Sequence, residues 1–184
     1  IEYDSSTHFD NGFLPFVFPV VKSITRSDVI SNDSFTLTYE YADGLWDADN
    51  REFRGFGSVK AFDSENNYSL TKYLQGEFNK GRVFEESSFD ANNNPYNKIG
   101  YIWNDSTEIV PGGRFVYLER KDSHVYDGDG SGRRTAEEFF YEETPQLGNL
   151  TRVVQLGEVD LNTGGDTGAD TRTVETTYLN HTTG

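Results

Sequence analysis

Apolar residues in this chain recur at spacing two, in short blocks, and Asp, Asn and Gly clusters interrupt those blocks at about ten-residue intervals. Successive side chains of a strand face opposite sides, so this is the pattern of antiparallel strands joined by tight turns. No long segment keeps the helical period of about 3.6 residues. Strands are predicted near 14–24, 34–42, 52–62, 68–75, 81–89, 98–104, 114–126, 134–142, 149–159 and 171–179. Asp43-Gly44 suits a primed hairpin turn, and the run Asp90 to Pro95 reads as a turn ended by Pro, because Asx side chains bond their own main chain and tolerate left-handed backbone. A weak repeat of an aromatic, an acid or amide and then Gly or Asn recurs in SFDANNNP, FFYEETPQLGNLT and TYLNHTTG. The polar run Asn162 to Asp170 reads as a mobile hairpin tip. The expected fold is all-β: an antiparallel, strongly twisted or curved sheet built of successive hairpins.

Composition agrees with that pattern and narrows the function. Phe, Tyr and Trp supply 15% of the residues out of a hydrophobic total of 34%, which concentrates apolar content in side chains suited to pleated, half-buried surfaces. The 184 residues are read as one β-rich segment, 1–184, and the absence of Met marks it as a piece of a longer protein. The absence of Cys removes disulfides, thiolate metal sites and thiol nucleophiles. A formal charge of −15 repels phosphate backbones and anionic lipid, so no nucleic-acid partner is expected. The longest apolar run, Phe13 to Val21, is broken by Pro15 and Pro19 and is far shorter than a bilayer span, so no membrane insertion by this segment is expected.

Catalysis has no visible carrier. There is no G-x-S-x-G, P-loop or G-x-G-x-x-G, and His8, His124 and His181 lack ligand spacing. Carboxylate doublets stand at Asp47/Asp49, Glu85/Glu86, Glu137/Glu138 and Glu142/Glu143, but neighbours on a strand face apart and cannot flank one sugar together. Trp46, Trp103 and Tyr101 would suit a sugar-stacking platform, although aromatics alternating along strands are ordinary core residues. Asp127, Asp129, Ser131 and Glu138 match the spacing D-x-D-x-S-G-x5-E of a calcium loop. The flanks read as strands rather than helices, and Arg133-Arg134 places two positive charges inside the cage. No enzyme activity and no cofactor are expected, calcium at this loop being the one alternative.

The most specific stretch is Arg51-Glu52-Phe53-Arg54-Gly55-Phe56-Gly57, too glycine-rich for a helix and too aromatic for a free loop. Alternation places Phe53 with Arg51 on one face and Glu52 with Arg54 on the other, so one face packs and the other forms cross-strand charge pairs. Gly55 and Gly57 permit a bulge or a close backbone approach. Together with LPFVFPVVKSITRSD, YEYADGLWDADNREFRGFG, GRVFEESSFDANNN and GNLTRVVQLG, this block resembles the RHS/YD-repeat shell proteins, specifically the middle region of the B component of insecticidal toxin complexes and of SpvB-like toxins.

The resemblance implies a secreted bacterial virulence protein in which such segments form part of a long β-sheet wound into a hollow shell around a toxic C-terminal polypeptide. Its partners would be the remainder of the same chain and the complex's C component, and Arg51 to Gly57 would be a structural signature without catalytic duty. The alternative is an extracellular β-rich binding module for carbohydrate or a cell surface.

Overall fold

The computed structural model describes residues 1–128, 131–142, 148–168 and 170–178. Thirteen strands and one short 3-10 turn (Ser6–His8) follow in order. The strands are β1 (Glu2–Ser5), β2 (Pro19–Ser27), β3 (Ser34–Ala42), β4 (Trp46–Asp47), β5 (Glu52–Phe53), β6 (Ser58–Phe62) and β7 (Tyr68–Tyr73). Then come β8 (Val83–Phe89), β9 (Pro95–Val110), β10 (Gly113–Tyr126), β11 (Gly132–Tyr141), β12 (Leu150–Val159) and β13 (Arg172–Glu175). Eleven of them form one sheet in the order β1-β2-β3-β6-β7-β8-β9-β10-β11-β12-β13, which does not close on itself; β4 and β5 form a separate pair. The fold is all-β and antiparallel, as the spacing-two pattern requires.

Four expected strands differ clearly in extent, among them the run predicted at 171–179, which among its described residues is a strand only over Arg172–Glu175. The run predicted at 14–24 becomes regular only at Pro19, the first residue of β2, a position where a missing N–H is tolerated, whereas Pro15 lies in the irregular part before it. The strand predicted at 52–62 divides into β5 and β6, because Gly55 takes a φ of 86° between them. The strand predicted near 98–104 extends over Pro95–Val110. The polar β1 had no apolar alternation to announce it; it is found by its pairing with β2.

The chain forms two compact units, the described residues of Ile1–Lys98 with Tyr126–Gly130 and those of Ile99–Val125 with Ser131–Gly184. In the first, two hairpins are closed by the same turn. In Phe62-Asp63-Ser64-Glu65-Asn66-Asn67, the Asp63 carboxylate accepts from the Glu65 and Asn67 backbone N–H groups at 2.9 Å and from Asn67 Nδ2 at 3.0 Å, while Asn66 takes a φ of 63°. In Phe89-Asp90-Ala91-Asn92-Asn93-Asn94, Asp90 accepts from Asn92 and Asn94 N–H at 2.8 Å and from Asn94 Nδ2 at 2.7 Å, with Asn93 at 66°. A carboxylate that satisfies two turn amides, followed by an Asn able to go left-handed, makes the reversal local and cheap. These donors hold both carboxyls below their ordinary range, the Asn67 and Asn94 side chains contributing most. Across the strands Phe62 lies opposite Tyr68 and Tyr68 opposite Phe89, with ring centroids at 5.3 and 4.8 Å.

In the second unit Glu142 and Asn149 are joined by two hydrogen bonds. Glu142 N–H donates to the Asn149 carbonyl at 3.1 Å, Asn149 Nδ2 donates to Glu142 Oε1 at 3.1 Å, and Gly148 takes a φ of 64°. Its core is Ala136, Leu156 and Val159, with Val154 packed against them. A bulge delivers Leu156 there: Ala136 pairs with Gly157 and Glu137 with Gln155, so Leu156 is the extra residue, and Gly157 supplies the left-handed φ of 65°. A side chain at Gly157 would also collide with the Asp170 carboxylate.

Candidate functional site: a ring chain and an arginine clamp

In the first unit the Arg51 to Gly57 block packs, through Phe53, against Phe16 and Phe18 of the segment that leads into β2. The turn before it is closed by Asp47, whose carboxylate accepts from Asp49 and Asn50 N–H at 3.0 and 3.1 Å and from Asn50 Nδ2 at 2.9 Å. Arg51 has a φ of 53° and belongs to that turn, so β5 keeps only Glu52 and Phe53, and the expected alternation does not reach Arg51. Arg54, nearly buried, donates through Nη2 to Asp47 Oδ2 and through Nη1 to the Gln75 carbonyl at 3.2 Å. The Asn50 donors first, and the Arg54 guanidinium after them, hold the Asp47 carboxyl down to about 2. Glu52 pairs instead with Lys80 at 2.6 Å, half in solvent.

The two glycines of the block play different parts. Gly55 has open space where a Cβ would stand, so its φ of 86° alone favours glycine. Gly57 lacks that strain, but a Cβ there would lie 2.8 Å from Asp43 Cβ and 3.2 Å from Gln75 Oε1. The Asp43 carbonyl accepts from Gly57 N–H at 3.1 Å and from Gln75 Nε2 at 2.8 Å, and the Gly55 carbonyl from Leu45 N–H at 3.1 Å and Gln75 Nε2 at 2.9 Å.

The block's two phenylalanines join a chain of rings. Trp46 packs edge-on to Phe16 at 5.0 Å, and Phe18 and Phe53 lie at 5.0 Å. Phe53 meets Phe56 at 5.5 Å, Phe56 meets Tyr41 at 4.9 Å, and Tyr41 meets Phe9 at 5.6 Å. Burial raises the Tyr41 hydroxyl above its ordinary pKa, and the hydroxyl donates to the Val21 carbonyl at 2.9 Å. Asn11 completes the tie, accepting from Gly44 N–H at 2.7 Å and donating to the Ser6 carbonyl at 2.9 Å. Trp46, weighed for a sugar platform against ordinary core packing, is a packing residue of this unit.

In the second unit the corresponding concentration of contacts is ionic. Arg120 donates from Nε and Nη2 to both oxygens of Asp122 at 2.9 and 3.1 Å, from Nη1 to Glu138 Oε1 at 3.0 Å, and from Nη2 to the Gly164 carbonyl at 2.6 Å. Arg134 shares Asp122 through Nε at 2.9 Å and reaches the Leu161 carbonyl at 3.3 Å. Asp122 is buried; that burial would raise its carboxyl, but the Arg120 and Arg134 guanidiniums outweigh it and hold it below the usual range. Gly164 is buried with a φ of 69°, and a Cβ there would meet the Arg134 guanidinium at 2.5 Å. The segment from Asn162 onward, read as a mobile tip, is therefore clamped at its start. Asp160 closes its turn by accepting from Asn162 and Thr163 N–H at 3.0 and 2.7 Å.

The proposed calcium ligands divide differently from their sequence spacing. Asp127 belongs to the first unit and Ser131 and Glu138 to the second, while Asp129 lies outside the described residues, as do Glu143 and His181. Glu138, the residue required to close the cage, is committed to Arg120 from within β11. Glu137 beside it accepts from Gln155 Nε2 at 3.0 Å, and no group of three His, Cys, Asp or Glu side chains converges among the described residues.

Comparison with known proteins gives this geometry a setting. Residues 1–83, just under half of the chain, match the family model of the insecticide toxin TcdB middle/N-terminal region. No curated protein matches the chain by sequence. Among solved structures, TcdB2-TccC3 without its hypervariable C-terminal region superposes with a TM-score of 0.72 at 15% identity, over 86% of this chain and 11% of that one. The complete TcdB2-TccC3 gives 0.67 at 14% identity, covering 88% and 12%. A Tc holotoxin pore of Photorhabdus luminescens carrying a TccC3 mutation gives 0.61 at 15% identity, covering 79% and 10%. The chain thus spans about a tenth of the solved chains that it matches. Its likeness is to the middle region of the toxin-complex B component, carried by sequence over residues 1–83 and by fold over most of its length.

Proposed function

We propose that this chain is a non-catalytic structural segment of a longer, secreted bacterial toxin-complex protein, a stretch of the β-sheet shell that encloses a toxic C-terminal polypeptide. The observation that carries this reading is an imbalance of apolar surface. Among the described residues four hydrophobic side chains are buried, Val20, Ala136, Leu156 and Val159, whereas fourteen large ones stand exposed, Phe13, Phe35, Ile102 and Val174 among them. A free-standing module covers such surface; a segment of a larger sheet leaves it for its neighbours. The strand order ends at β1 and β13, whose outer edges are offered to further strands.

On this reading the Arg51 to Gly57 block is a structural signature, its charges clamping turns and its rings filling the first unit. The partners are the remainder of the parent chain and its C component, in keeping with solved relatives that join TcdB2 to TccC3. On the same reading Glu138 serves as the partner of Arg120 rather than as a calcium ligand. A binding module for carbohydrate would present its rings openly; Trp46 is packed against Phe16.

The test is protease digestion of the parent protein assembled with its C component. The enclosed polypeptide survives in the wild type and is degraded in Arg54→Ala. Equal survival, in a variant whose local opening is confirmed by hydrogen exchange, overturns the shell role.

A further inference from the structure

The tip of the β2–β3 hairpin carries the most exposed large hydrophobic pair among the described residues: Val29 is 94% and Ile30 97% exposed. The turn does not need them. Asp28 closes it by accepting from Ile30 and Ser31 N–H at 2.8 and 3.5 Å, Asp28 N–H donates to the Asp33 carbonyl at 2.8 Å, and Asn32 takes a φ of 60°. Four other turns of the molecule are closed by an Asp in the same way, and at the two positions after it they carry Ala48-Asp49, Ser64-Glu65, Ala91-Asn92 and Leu161-Asn162. Each of those pairs is small or ends in a polar residue. Among the described residues, only here do two consecutive Val or Ile side chains both stand exposed, on a tip whose closing hydrogen bonds use backbone and Asp28 rather than those side chains.

We infer that Val29 and Ile30 are an anchor that enters an apolar socket with a basic rim, on another part of the parent toxin chain. The inference rests on the shell reading above, which gives this segment a parent chain. Charge favours that occupant over a lipid surface: Asp28 and Asp33 flank the pair, the carboxyl of Asp28 is held below its ordinary range by the Ile30 and Ser31 amides, and the chain carries −15 overall. An anionic bilayer would repel the tip, and two apolar residues are too few to hold it at a neutral one. Lys or Arg at the rim of a protein socket would pair with both flanking carboxylates.

The experiment places p-benzoylphenylalanine at position 30 of the full-length parent protein, with position 65 as control. Glu65 is exposed, stands two residues after the Asp that closes its own turn, and donates its N–H to that Asp as Ile30 does to Asp28. Irradiation followed by peptide mapping is expected to join position 30 to one defined peptide of the parent chain, with Lys or Arg beside the attachment point. In the Ile30→Ser full-length protein that peptide is expected to exchange its amide hydrogens about tenfold faster, the effect of losing one buried branched side chain. Cross-linking at position 30 no greater than at position 65, or only to added phosphatidylcholine vesicles, overturns the inference. If the parent still protects its enclosed polypeptide while position 30 captures nothing, the anchor fails and the shell reading stands.

Discussion

The two units solve one problem with different forces. Each must tie a segment without regular strand pairing onto its sheet: residues 6–18 in the first, the turn at 160–165 in the second. The first uses rings, Phe16, Phe18, Phe53 and Phe56 among them, with Arg54 closing the end. The second uses one buried carboxylate, Asp122, held between Arg120 and Arg134, whose remaining donors grip the carbonyls of Gly164 and Leu161. Ring packing is spread over many contacts and is indifferent to pH; a carboxylate shared by two arginines concentrates its effect in one side chain.

Removing that carboxylate is expected to give the largest loss. Asp122→Ala leaves two largely buried guanidiniums without their common acceptor and should lower stability by about 3 kcal/mol, the lower end for a broken buried pair because both arginines touch solvent. A urea midpoint that falls at unchanged slope would report it in the parent protein. The same residue fixes a pH dependence. Its folded pKa is depressed, so its contribution is complete above the unfolded value of about 3.9 and is lost as pH falls below that through the folded value. The stability gap between wild type and Asp122→Asn should therefore be constant from neutral pH to about pH 5 and close in stronger acid. A gap that closes near neutrality breaks the contrast between the units.

Phe53→Ala should come next, at about 2 kcal/mol for a half-buried ring with three ring neighbours, and should leave the shape of the pH profile unchanged. Gly55→Val should cost about 1–2 kcal/mol through backbone conformation alone, since space around Gly55 is open. Gly55→Asn sharpens that point: Asn tolerates left-handed backbone, so it should recover most of the loss in thermal unfolding. If Asn is as harmful as Val, crowding rather than φ governs the site.

Much of this fold is legible in the sequence because its strands are amphipathic and its turns carry their own chemistry. The spacing-two pattern finds β3, β10 and β12 closely. It misses β1, where Tyr3 is the single aromatic among Glu2, Asp4 and Ser5, because an edge strand that buries little needs no apolar alternation. The block at Arg51 to Gly57 was recognisable by composition, but alternation misplaces Arg51, since its positive φ is imposed by the Asp47 turn. The clamp on Gly164 was invisible locally: its arginines lie 44 and 30 positions earlier in the chain. A signal was nevertheless present, for Asp160 followed by Leu, Asn, Thr and Gly repeats the logic of the Asp63 and Asp90 turns, and a turn with such bonds is not a loose tip. The calcium spacing counts residues along the chain, whereas in the fold the Glu138 carboxylate on β11 accepts from Arg120.

The smallest expected effect separates two charges that sequence alone treats as equals. Glu52 and Arg54 stand two residues apart in the same block, and both have ionic partners. Arg54 is nearly buried against Asp47 and the Gln75 carbonyl, whereas the Glu52 and Lys80 side chains each remain more than a third exposed. Solvent screens the exposed pair and its long side chains lose freedom on pairing, so Glu52→Gln should change stability by no more than about 0.5 kcal/mol, and less at high salt. Arg54→Ala should cost several times that, because Asp47 and the Gln75 carbonyl lose a buried donor. Equal losses for the two substitutions would show that Glu52 acts through a contact other than Lys80, and would move the ionic centre of the first unit from Arg54 to the solvent face of β5.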